Sequence, residues 1–381
     1  MLMMATTAAM IEQFNQNNIL ILEEMGYEVH VLGNFLEGNP ISGERLEAFK
    51  KWIEAHHGKW FHYTATRKPT DVINNTKAYQ YTVRLIEKYH YRFIHCHSPI
   101  GSVIARAAAH KTHTMVIYTA HGFHFFKGAP LRNWLCYYPV EYLLSKWTDI
   151  LILINKEDYN RARKNFHALQ TVYIPGVGVD LNKFGNKNRA RIREKFHIPE
   201  NAVLLLSVGE LNDNKNHEAA IRAVAEIIRE RKIKKEVYYI IAGQGHRKEK
   251  LTELVHALSL TDKIFIPGFC EDISELYAAA DIFVFPSHRE GLSVALMEAM
   301  AGGLVVACGR IRGNTELIDE NGGVFFEPDD ISSIRQALTE LLLTDEEALL
   351  KKGAYNLVKI REYSSERVDQ ISRAIYQYGG G

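Results

Sequence analysis

The chain has 381 residues, of which 46% are hydrophobic and 24% charged, and 46 Lys and Arg against 45 Asp and Glu give a formal net charge of +1. This length favours two domains, and the balanced charge argues against a nucleic-acid-binding protein, which usually carries a basic excess. The four cysteines form no C-x-x-C pair, so neither a disulfide framework nor a zinc site is predicted, and no apolar run reaches the roughly 18 residues that span a bilayer.

Short apolar segments alternate with longer amphipathic segments along the chain. The predicted strands cover residues 2–6, 27–32, 93–95, 115–119, 149–154 and 171–174 in the first half, and 203–208, 237–242, 264–267, 282–285 and 304–307 in the second. Helical patterns lie between them, for example at 16–24, 71–89, 217–231, 245–258 and 331–343. This alternation predicts βαβ units, and therefore an α/β fold whose parallel sheets are covered on both faces.

A segment that contains Gly and Pro, residues 175–180, follows the strand at 171–174. Such punctuation directly after a strand is typical of a boundary between structural units. The sequence therefore predicts two Rossmann-like domains, residues 1–175 and 176–363, joined at this segment. A last amphipathic helical segment covers residues 364–378.

Rossmann-like domains raise the question of a nicotinamide cofactor. The best candidate loop, Ala-Gly-Gln-Gly at 242–245, has Lys248 where the third glycine of GxGxxG belongs, and no acidic ribose ligand is evident about 20 residues further on. The first strand is followed by residues 6–9, Thr-Thr-Ala-Ala, without a glycine. A dehydrogenase is therefore disfavoured.

Two histidines, His95 and His97, follow or end a strand in the first half. Residues two apart on a strand share a face, so the two could form a metal pair. No third ligand with matching spacing is visible, and a metal site is not predicted.

The most informative segment is 285–303, FPSHREGLSVALMEAMAGG. Residues 286–291 form a loop at the carboxyl end of a predicted strand, where ligands bind in open α/β sheets. Ser293 is expected to cap a helix that runs to about Ala301, and the Gly-Gly pair is expected to end it. The helix is apolar on almost every face, so it is predicted to be buried.

Glu298 lies in the middle of this apolar helix. A buried carboxylate without partners is unfavourable or becomes neutral through a raised pKa. A ribose diol would offer it two hydroxyl donors, whereas the alternative is an ion pair with a buried Arg or Lys. Glu290 lies in the preceding loop, and the N–H groups of Gly291, Leu292 and Ser293 lie at the positive helix end, where a diphosphate can bind.

The Glu-x7-Glu spacing of Glu290 and Glu298, within EGLSVALMEAMAGG, resembles the signature of the family-4 retaining glycosyltransferases of the GT-B fold. The resemblance implies two Rossmann-like domains facing across a cleft, with a C-terminal helix at about 364–381 that crosses back to the N-terminal domain. It implies that Glu298 binds the nucleotide ribose and that Glu290 lies beside the donor sugar and diphosphate, as a catalytic and donor-binding residue.

A second segment, GELNDNKNH at 209–217, resembles the first C-terminal βα loop of the same family. Gly209 and Lys215 match its glycine and its lysine, which implies that Lys215 neutralises the donor phosphates. Glu210 stands where the family usually has an arginine, so one expected cation is missing. Three arginines are candidates to replace it: Arg289, Arg310 and Arg312.

Two further segments resemble parts of the donor site. The segment IPGFCED at 266–272 is similar to the base-binding loop of the family, with Gly268 and Phe269 as donor-binding residues, and the alternative is a plain strand-to-helix turn. His121 matches the histidine of a His-Gly pair that contacts the donor sugar in the family, which implies a catalytic role near the reacting carbon.

The resemblance implies the transfer of a hexose or N-acetylhexosamine from a nucleoside-diphosphate sugar, with UDP as the expected base, to a hydroxyl of the acceptor with retention. No Asp-x-Asp motif occurs in the chain. That motif holds a divalent ion in single-domain glycosyltransferases, so no metal or other cofactor is expected. The helix N-terminus and Lys215 would instead stabilise the leaving diphosphate.

The N-terminal domain is expected to bind the acceptor. Residues 125–147 combine many aromatic side chains with cations, which fits a membrane interface and, equally well, a buried helix with a long loop. The resemblance is to enzymes that build bacterial capsule or exopolysaccharide on a lipid-linked acceptor. We therefore predict a cytoplasmic protein attached peripherally to the inner face of the plasma membrane, with Phe125, Phe126 and Trp134 at the acceptor or the membrane.

Two other functions remain open at this point. A non-hydrolysing sugar-nucleotide epimerase would bind a similar donor without an acceptor, but the Glu-x7-Glu arrangement favours transfer. The other is a non-catalytic, sugar-nucleotide-binding subunit of a membrane complex, which Glu210 in the arginine position would favour.

Overall fold

The computed structural model describes residues 1–39, 41–97, 99–184 and 188–380. Contacts within these residues divide the chain into two units. Unit 1 contains Met1–Val177 and the chain from Arg367 onward, and unit 2 contains Gly178–Glu366. The first bound lies inside the segment 175–180, and the second lies at the beginning of the last helix.

Unit 1 has, in its described residues, a parallel sheet of seven strands in the order β3-β2-β1-β4-β5-β6-β7. The strands are β1 (Leu2–Thr7), β2 (His30–Asn34), β3 (Lys59–His62), β4 (Phe93–His97), β5 (Met115–Ala120), β6 (Ile150–Leu153) and β7 (Gln170–Tyr173). The strands β1, β4 and β5 are buried almost throughout. This burial is expected of a parallel sheet with helices on both faces.

In the described part of unit 1, seven helices connect these strands: α1 (Ala8–Phe14), α2 (Gln16–Glu24), α3 (Gly43–Ala55), α4 (Val72–Tyr89), α5 (Pro99–Thr112), α6 (Leu131–Ser145) and α7 (Lys156–Asn165). Polar caps mark where several of them begin. The side chains of Ser42, Asp71 and Asn155 accept hydrogen bonds from backbone N–H groups in the first turns of α3, α4 and α7. These bonds satisfy N–H groups that have no acceptor within the helix.

Unit 2 has, in its described residues, a parallel sheet of six strands in the order β10-β9-β8-β11-β12-β13. The strands are β8 (Val203–Val208), β9 (Val237–Ala242), β10 (Ile264–Gly268), β11 (Ile282–Phe285), β12 (Val305–Gly309) and β13 (Gly323–Phe326). The direction of strand progression reverses between β8 and β11. In open α/β sheets, ligands bind at the carboxyl ends of the strands at this reversal point.

The helices that follow are α8 (Arg189–Lys195), α9 (His217–Glu230), α10 (Lys248–Ala257), α11 (Ile273–Ala279), α12 (Val294–Ala301), α13 (Arg312–Leu317), α14 (Ile331–Leu343), α15 (Glu346–Lys359) and α16 (Ser365–Gly380). Two 3-10 helices cover Leu181–Phe184 and Ile360–Tyr363. The last helix, α16, contributes Val368, Ile375 and Tyr376 to a core of unit 1. Within the described residues, no helix combines the length and apolar character needed to cross a bilayer.

Each sheet separates two hydrophobic cores. In β8, Leu204 and Leu206 belong to one core of unit 2, whereas Leu205 belongs to the other. In β1, Leu2 and Met4 likewise pack on the opposite face from Met3. Successive side chains of a strand point to opposite faces, so both faces must be covered. The predicted α/β fold with two Rossmann-like units is therefore confirmed.

Candidate functional site

The loops after β8 and β11 lie side by side in unit 2, because these parallel strands are neighbours. The backbone N–H of His288 donates to the carbonyl of Asn214 at 2.8 Å. In return, the side-chain amide of Asn214 donates to the carbonyl of Arg289 at 2.9 Å. The two loops are thus fixed to each other at the reversal point of the sheet.

Lys215 and Glu290, one from each loop, form an ion pair. Lys215 Nζ lies 2.7 Å from Glu290 Oε1, and the two side chains are only 16% and 13% exposed. The same ammonium lies 4.9 Å from the centre of the Phe285 ring, a distance that allows a cation–π interaction. The structure therefore brings together two residues that the sequence assigns to the donor site.

Backbone packing beside this pair depends on a glycine of the neighbouring strand. Gly209 follows β8, and its N–H donates to the carbonyl of Ala242 at 3.0 Å. A Cβ atom on Gly243 would lie 1.8 Å from the carbonyl oxygen of Gly209, far inside van der Waals contact. Only glycine at position 243 therefore lets the chain that follows β9 approach the chain that follows β8 this closely.

Helix α12 begins directly after the loop that carries Glu290. Ser293 has extended backbone angles and its side chain accepts from the N–H of Leu296, so it caps the helix as predicted. The first N–H groups of a helix have no acceptor within the helix and lie at the positive end of its dipole. The N-terminal end of α12, with Gly291, Leu292 and Ser293, is therefore suited to an anion such as a diphosphate.

Glu298, on α12, has a neutral hydrogen-bond partner. Its Oε2 lies 3.0 Å from the hydroxyl of Tyr277, which is also 3.0 Å from the carbonyl of Ala295. Burial raises the pKa of the Glu298 carboxyl, while the Tyr277 hydroxyl and the charge of Lys183 oppose that rise. Among the described residues, the Tyr277 hydroxyl is the only hydrogen-bond partner of the Glu298 carboxyl, and no Lys or Arg forms an ion pair with it. The structure therefore contradicts the alternative of an ion pair with a buried cation.

Gly268 and Phe269 lie at the carboxyl end of β10, the edge strand two positions from β8. The carbonyl of Gly268 accepts from the N–H of Gly243 at 2.9 Å, and the Phe269 side chain is 64% exposed. Neighbouring strands lie about 4.8 Å apart, so β10 is roughly 10 Å from β8. A planar base could therefore lie on Phe269 while the ribose and diphosphate of the same nucleotide reach α12 and Lys215.

Glu210 is exposed and, among the described residues, forms no ion pair. Arg289 and Arg310 are also exposed, and the Arg310 guanidinium lies 4.6 Å from the centre of the Phe325 ring. The arginine expected at position 210 is thus absent, and its replacement by Arg289, Arg310 or Arg312 stays a prediction. No metal-binding cluster of three His, Cys, Asp or Glu occurs in the part of the chain that the structure describes.

In unit 1, His121 follows β5 and is hydrogen-bonded to another histidine. His121 Nε2 lies 3.1 Å from His97 Nδ1 at the end of β4. Burial lowers the pKa of His121 to about 4 and lowers that of His97 well below its ordinary value. Both imidazoles are therefore neutral at pH 7, and His121 can donate or accept one hydrogen bond without carrying charge.

One of the three aromatic residues that the sequence places at the acceptor or the membrane is contradicted by the structure. Phe125 is fully buried, with its ring centre 4.7 Å from that of Phe123 and 5.2 Å from that of Tyr138. It cannot contact a membrane or an acceptor in this structure, so its assignment is wrong. Phe126 and Trp134 are half-buried, and Trp134 packs against the core that contains Phe125.

Sequence reasoning missed three features. Tyr277 gives no signal, because an aromatic residue in an apolar helix is typical of a core. The exposed leucines of α6, Leu131, Leu135 and Leu143, could have been found from their spacing of four and eight residues, which places them on one face of a helix. His97 was considered only as a metal ligand, whereas the structure places it within hydrogen-bond distance of His121.

These elements lie within matches to two family models. Residues 188–356 match the model described as glycosyl transferases group 1, and residues 19–183 match the model described as glycosyltransferase family 4. The first match contains every residue of unit 2 that the sequence assigns to the donor site. The second match contains the strands β2 to β7, together with His97 and His121.

Curated relatives cover most of the chain. EpsD of Bacillus subtilis (strain 168), which is named as a glycosyltransferase, is 36% identical over 84% of this chain and 81% of its own length. The UDP-Gal:alpha-D-GlcNAc-diphosphoundecaprenol alpha-1,3-galactosyltransferase of Escherichia coli is 29% identical over 79% of each chain.

Solved structures have the same fold. HepE of Anabaena in complex with UDP-glucose has a TM-score of 0.75 at 17% identity, over 99% of both chains. A glycosyltransferase of Rickettsia africae ESF-5 has a TM-score of 0.77 at 19% identity, over 99% of this chain and 98% of that one.

Proposed function

This chain belongs to the glycosyltransferases of group 1 and family 4, and from that premise we propose that it transfers a sugar from a UDP-sugar, with retention, to a hydroxyl of a growing lipid-linked polysaccharide. Its fold is GT-B, and its general activity is glycosyl transfer from a nucleotide sugar. The donor base, the stereochemical course, the acceptor and the membrane contact are the proposed parts.

One observation carries the donor assignment. Lys215 and Glu290 meet at 2.7 Å at the reversal point of the unit 2 sheet, and α12, which follows Glu290, carries Glu298. A cation, a helix N-terminus and a half-buried carboxylate are the groups that a diphosphate and a ribose diol require. We assign the diphosphate to Lys215 and the start of α12, and the ribose to Glu298.

The chemistry follows from this placement. The bond between the anomeric carbon and the diphosphate oxygen breaks, and a bond from that carbon to the acceptor oxygen forms. The departing diphosphate takes up the acceptor proton, and the negative charge that develops on it is stabilised by Lys215 and the N-terminus of α12. The transition state is oxocarbenium-like, as in glycoside hydrolysis. His121 is proposed to contact the transferred sugar as a neutral hydrogen-bonding group, and no metal or other cofactor is required.

The donor base and the acceptor class rest on relatives. The Escherichia coli relative is named for UDP-Gal and a diphosphoundecaprenol acceptor, and a Campylobacter jejuni relative, 31% identical over 52% of this chain, is named for a diphospho-undecaprenol acceptor. HepE was solved with UDP and with UDP-glucose. Retention is proposed because the Glu-x7-Glu signature resembles that of retaining enzymes.

An assay with purified protein tests the proposal. UDP-glucose, UDP-galactose and their N-acetylhexosamine counterparts are first compared by thermal shift, and stabilising donors are then incubated with a short-chain lipid diphosphate saccharide. We expect an acceptor-dependent product whose anomeric configuration, read from NMR couplings, equals that of the donor. An inverted product contradicts retention, a donor epimer formed without acceptor identifies an epimerase, and stabilisation by GDP but not UDP contradicts the base.

A surface of unit 1 supports the proposed membrane contact. Leu131, Leu135, Val140 and Leu143 are 73%, 68%, 40% and 58% exposed. They lie on the solvent-facing side of α6, and we call them the α6 outer face. The opposite side is anchored by Glu141, which pairs with the buried Arg106 at 2.9 Å and accepts from the Tyr118 hydroxyl at 3.1 Å.

The charge around the α6 outer face fits an anionic lipid surface. Lys127, Arg132 and Lys146 are exposed beside it, and basic residues next to an apolar helix face favour binding at an anionic membrane interface. This surface, and not Phe125, is the part of the segment that could reach lipid headgroups. We therefore propose peripheral attachment through α6 at the cytoplasmic leaflet.

Changing Leu135 and Leu143 together to Ser is expected to weaken binding to anionic vesicles by about tenfold or more. The variant loses the favourable transfer of two leucine side chains from water into the membrane interface. Flotation with vesicles that contain phosphatidylglycerol measures the bound fraction. The matched control, Leu343→Ser with Leu350→Ser, changes leucines of unit 2 that are 66% and 67% exposed. Equal binding by the α6 variant and the wild type, or an equal loss in the control, contradicts the α6 contact.

A further inference from the structure

Three histidines form a row at the carboxyl ends of β4 and β5. The ring centres of His95 and His97 are 4.2 Å apart, and those of His97 and His121 are 5.4 Å apart. The parallel register pairs His97 with Thr119, and His121 follows directly after β5, so the register brings the ends of the two strands together at these rings. The row is therefore a product of strand register, and each ring has a fixed neighbour.

The first ring of the row is held on both sides. His95 Nδ1 lies 2.9 Å from the Tyr376 hydroxyl on α16, and His95 Nε2 lies 2.8 Å from the Thr119 hydroxyl. A small cavity of about 50 Å³ adjoins the row and is lined in part by Asn15, Thr119 and Ser372. His97, only 1% exposed, lies between His121 and His95, whose two ring nitrogens both have hydrogen-bond partners.

The contact between His97 and His121 contains a single hydrogen. Both imidazoles are neutral at pH 7, because burial lowers their pKa values, and a neutral imidazole carries its proton on one nitrogen only. In the 3.1 Å contact one of the facing nitrogens must be N–H and the other a lone pair. The tautomer of His97 therefore fixes that of His121, and so fixes whether the outer Nδ1 of His121 donates or accepts.

We propose that His97 is a positioning residue that holds His121 in one tautomer and one ring orientation for contact with the sugar. The hydrogen bond made by one ring nitrogen decides the protonation of the other. In one tautomer Nδ1 of His121 accepts a hydrogen bond from a sugar hydroxyl, and in the other it donates one to a sugar oxygen. Only one of these can fit a given sugar pose, so a mixture of tautomers would leave a fraction of the molecules inactive. The part that concerns sugar contact rests on the proposed function, whereas the tautomer of His121 can be measured without substrate.

His97→Leu and His97→Asn form a matched pair of variants. Leu fills a similar volume without a hydrogen bond, whereas the amide of Asn can reach the position of the His97 Nδ1 atom and restore the bond to His121. Long-range ¹H–¹⁵N spectra at pH 7.5 report which nitrogen of His121 carries the proton. We expect one tautomer in the wild type and in His97→Asn, and two tautomers in His97→Leu. His97→Ala serves as a second variant if His97→Leu does not fold.

The kinetic readout separates positioning from packing. Loss of the hydrogen-bond partner that orients a metal-ligating histidine costs about 10- to 100-fold. By analogy, kcat of His97→Leu is expected to fall about tenfold with an unchanged donor KM, and His97→Asn is expected to recover most of it. A single His121 tautomer in His97→Leu, or equal kcat for the Leu and Asn variants, overturns the inference. If the tautomers respond as expected but His121→Ala transfers sugar at the wild-type rate, tautomer control by His97 holds and the proposed role of His121 in transfer is wrong.

Discussion

Changing Glu298 to Ala is expected to abolish the stabilisation of this protein by UDP, with no loss of stability in the free protein. The carboxylate would accept hydrogen bonds from two ribose hydroxyls, and a hydrogen bond to a charged group contributes about 1.5–3 kcal/mol. Loss of both corresponds to an affinity decrease of about a hundredfold or more. A ligand at 100 times its Kd stabilises a protein by about 2.7 kcal/mol, and that increment should disappear from a thermal-shift experiment.

The free variant should unfold at the same temperature as the wild type or a higher one. Glu298 is a half-buried carboxylate whose pKa is raised by burial, and Ala is the better helix former in the middle of α12. The Tyr277 hydroxyl keeps the carbonyl of Ala295, at 3.0 Å, as an acceptor. A variant that loses UDP binding because it is unfolded would therefore be recognised by its thermal transition without ligand.

Two conservative variants separate charge from shape at this position. Glu298→Gln keeps the size of the side chain and one oxygen acceptor, so we expect an intermediate loss of UDP affinity. Tyr277→Phe removes the hydroxyl that is 3.0 Å from Glu298 Oε2 and should weaken UDP binding less than Glu298→Ala does. Full UDP stabilisation of Glu298→Ala, measured at the UDP concentration that is 100 times the wild-type Kd, contradicts the ribose assignment.

The Tyr277 contact marks the limit of sequence reasoning about this site. The lone carboxylate of Glu298 in an apolar helix is visible in the sequence, because charge and periodicity are local properties. The hydroxyl that meets it comes from α11, 21 residues earlier, and nothing in the pattern of α11 distinguishes Tyr277 from a core aromatic. The hydrogen-bond partner of a buried polar group depends on tertiary packing, and the pattern of a single sequence does not show which distant residues the fold brings together.

The fold was predictable where periodicity is strong. The strands β8, β9 and β11 and the helix α14 have the predicted bounds. The strands β3 and β13 were missed, although β7, an edge strand of the same length, was predicted. β3, Lys59–His62, has apolar residues only at its two middle positions, and β13, Gly323–Phe326, begins within a Gly pair. Central parallel strands form longer continuous apolar runs, which are easier to recognise in a sequence.

The error at Phe125 has a related cause. A dense run of aromatic residues shows that large side chains are present but does not show which of them point inward. In the structure Phe123 and Phe125 are buried, whereas Phe126 is half-buried. The exposed apolar surface lies a few residues later, on α6, where the sequence left a membrane interface and a buried helix equally open.

The second large effect is expected for Lys215→Ala, which should lower kcat for sugar transfer by about 10²- to 10³-fold, the usual result of removing one group that stabilises developing negative charge. The ammonium of Lys215 is nearly buried against Glu290 and Phe285, where charge is poorly screened. Its removal also leaves the Glu290 carboxylate without its ion-pair partner beside the incoming diphosphate. Steady-state kinetics with the best UDP-sugar measure the effect, and a kcat within about threefold of wild type contradicts the diphosphate assignment.

Glu290→Gln is the informative counterpart, because the two members of the ion pair should act in opposite directions on the nucleotide. In the free protein the Glu290 carboxylate, 2.7 Å from the ammonium, competes with a diphosphate for Lys215. Its neutralisation should therefore tighten UDP binding a few-fold while lowering transfer, since Glu290 is proposed to lie beside the sugar. If the ion pair only stabilised the fold, both variants would be less stable to unfolding. UDP affinity and kcat would then change in the same direction in Lys215→Ala and in Glu290→Gln. Opposite changes in UDP affinity for Lys215→Ala and Glu290→Gln would show that the pair opens when the donor binds.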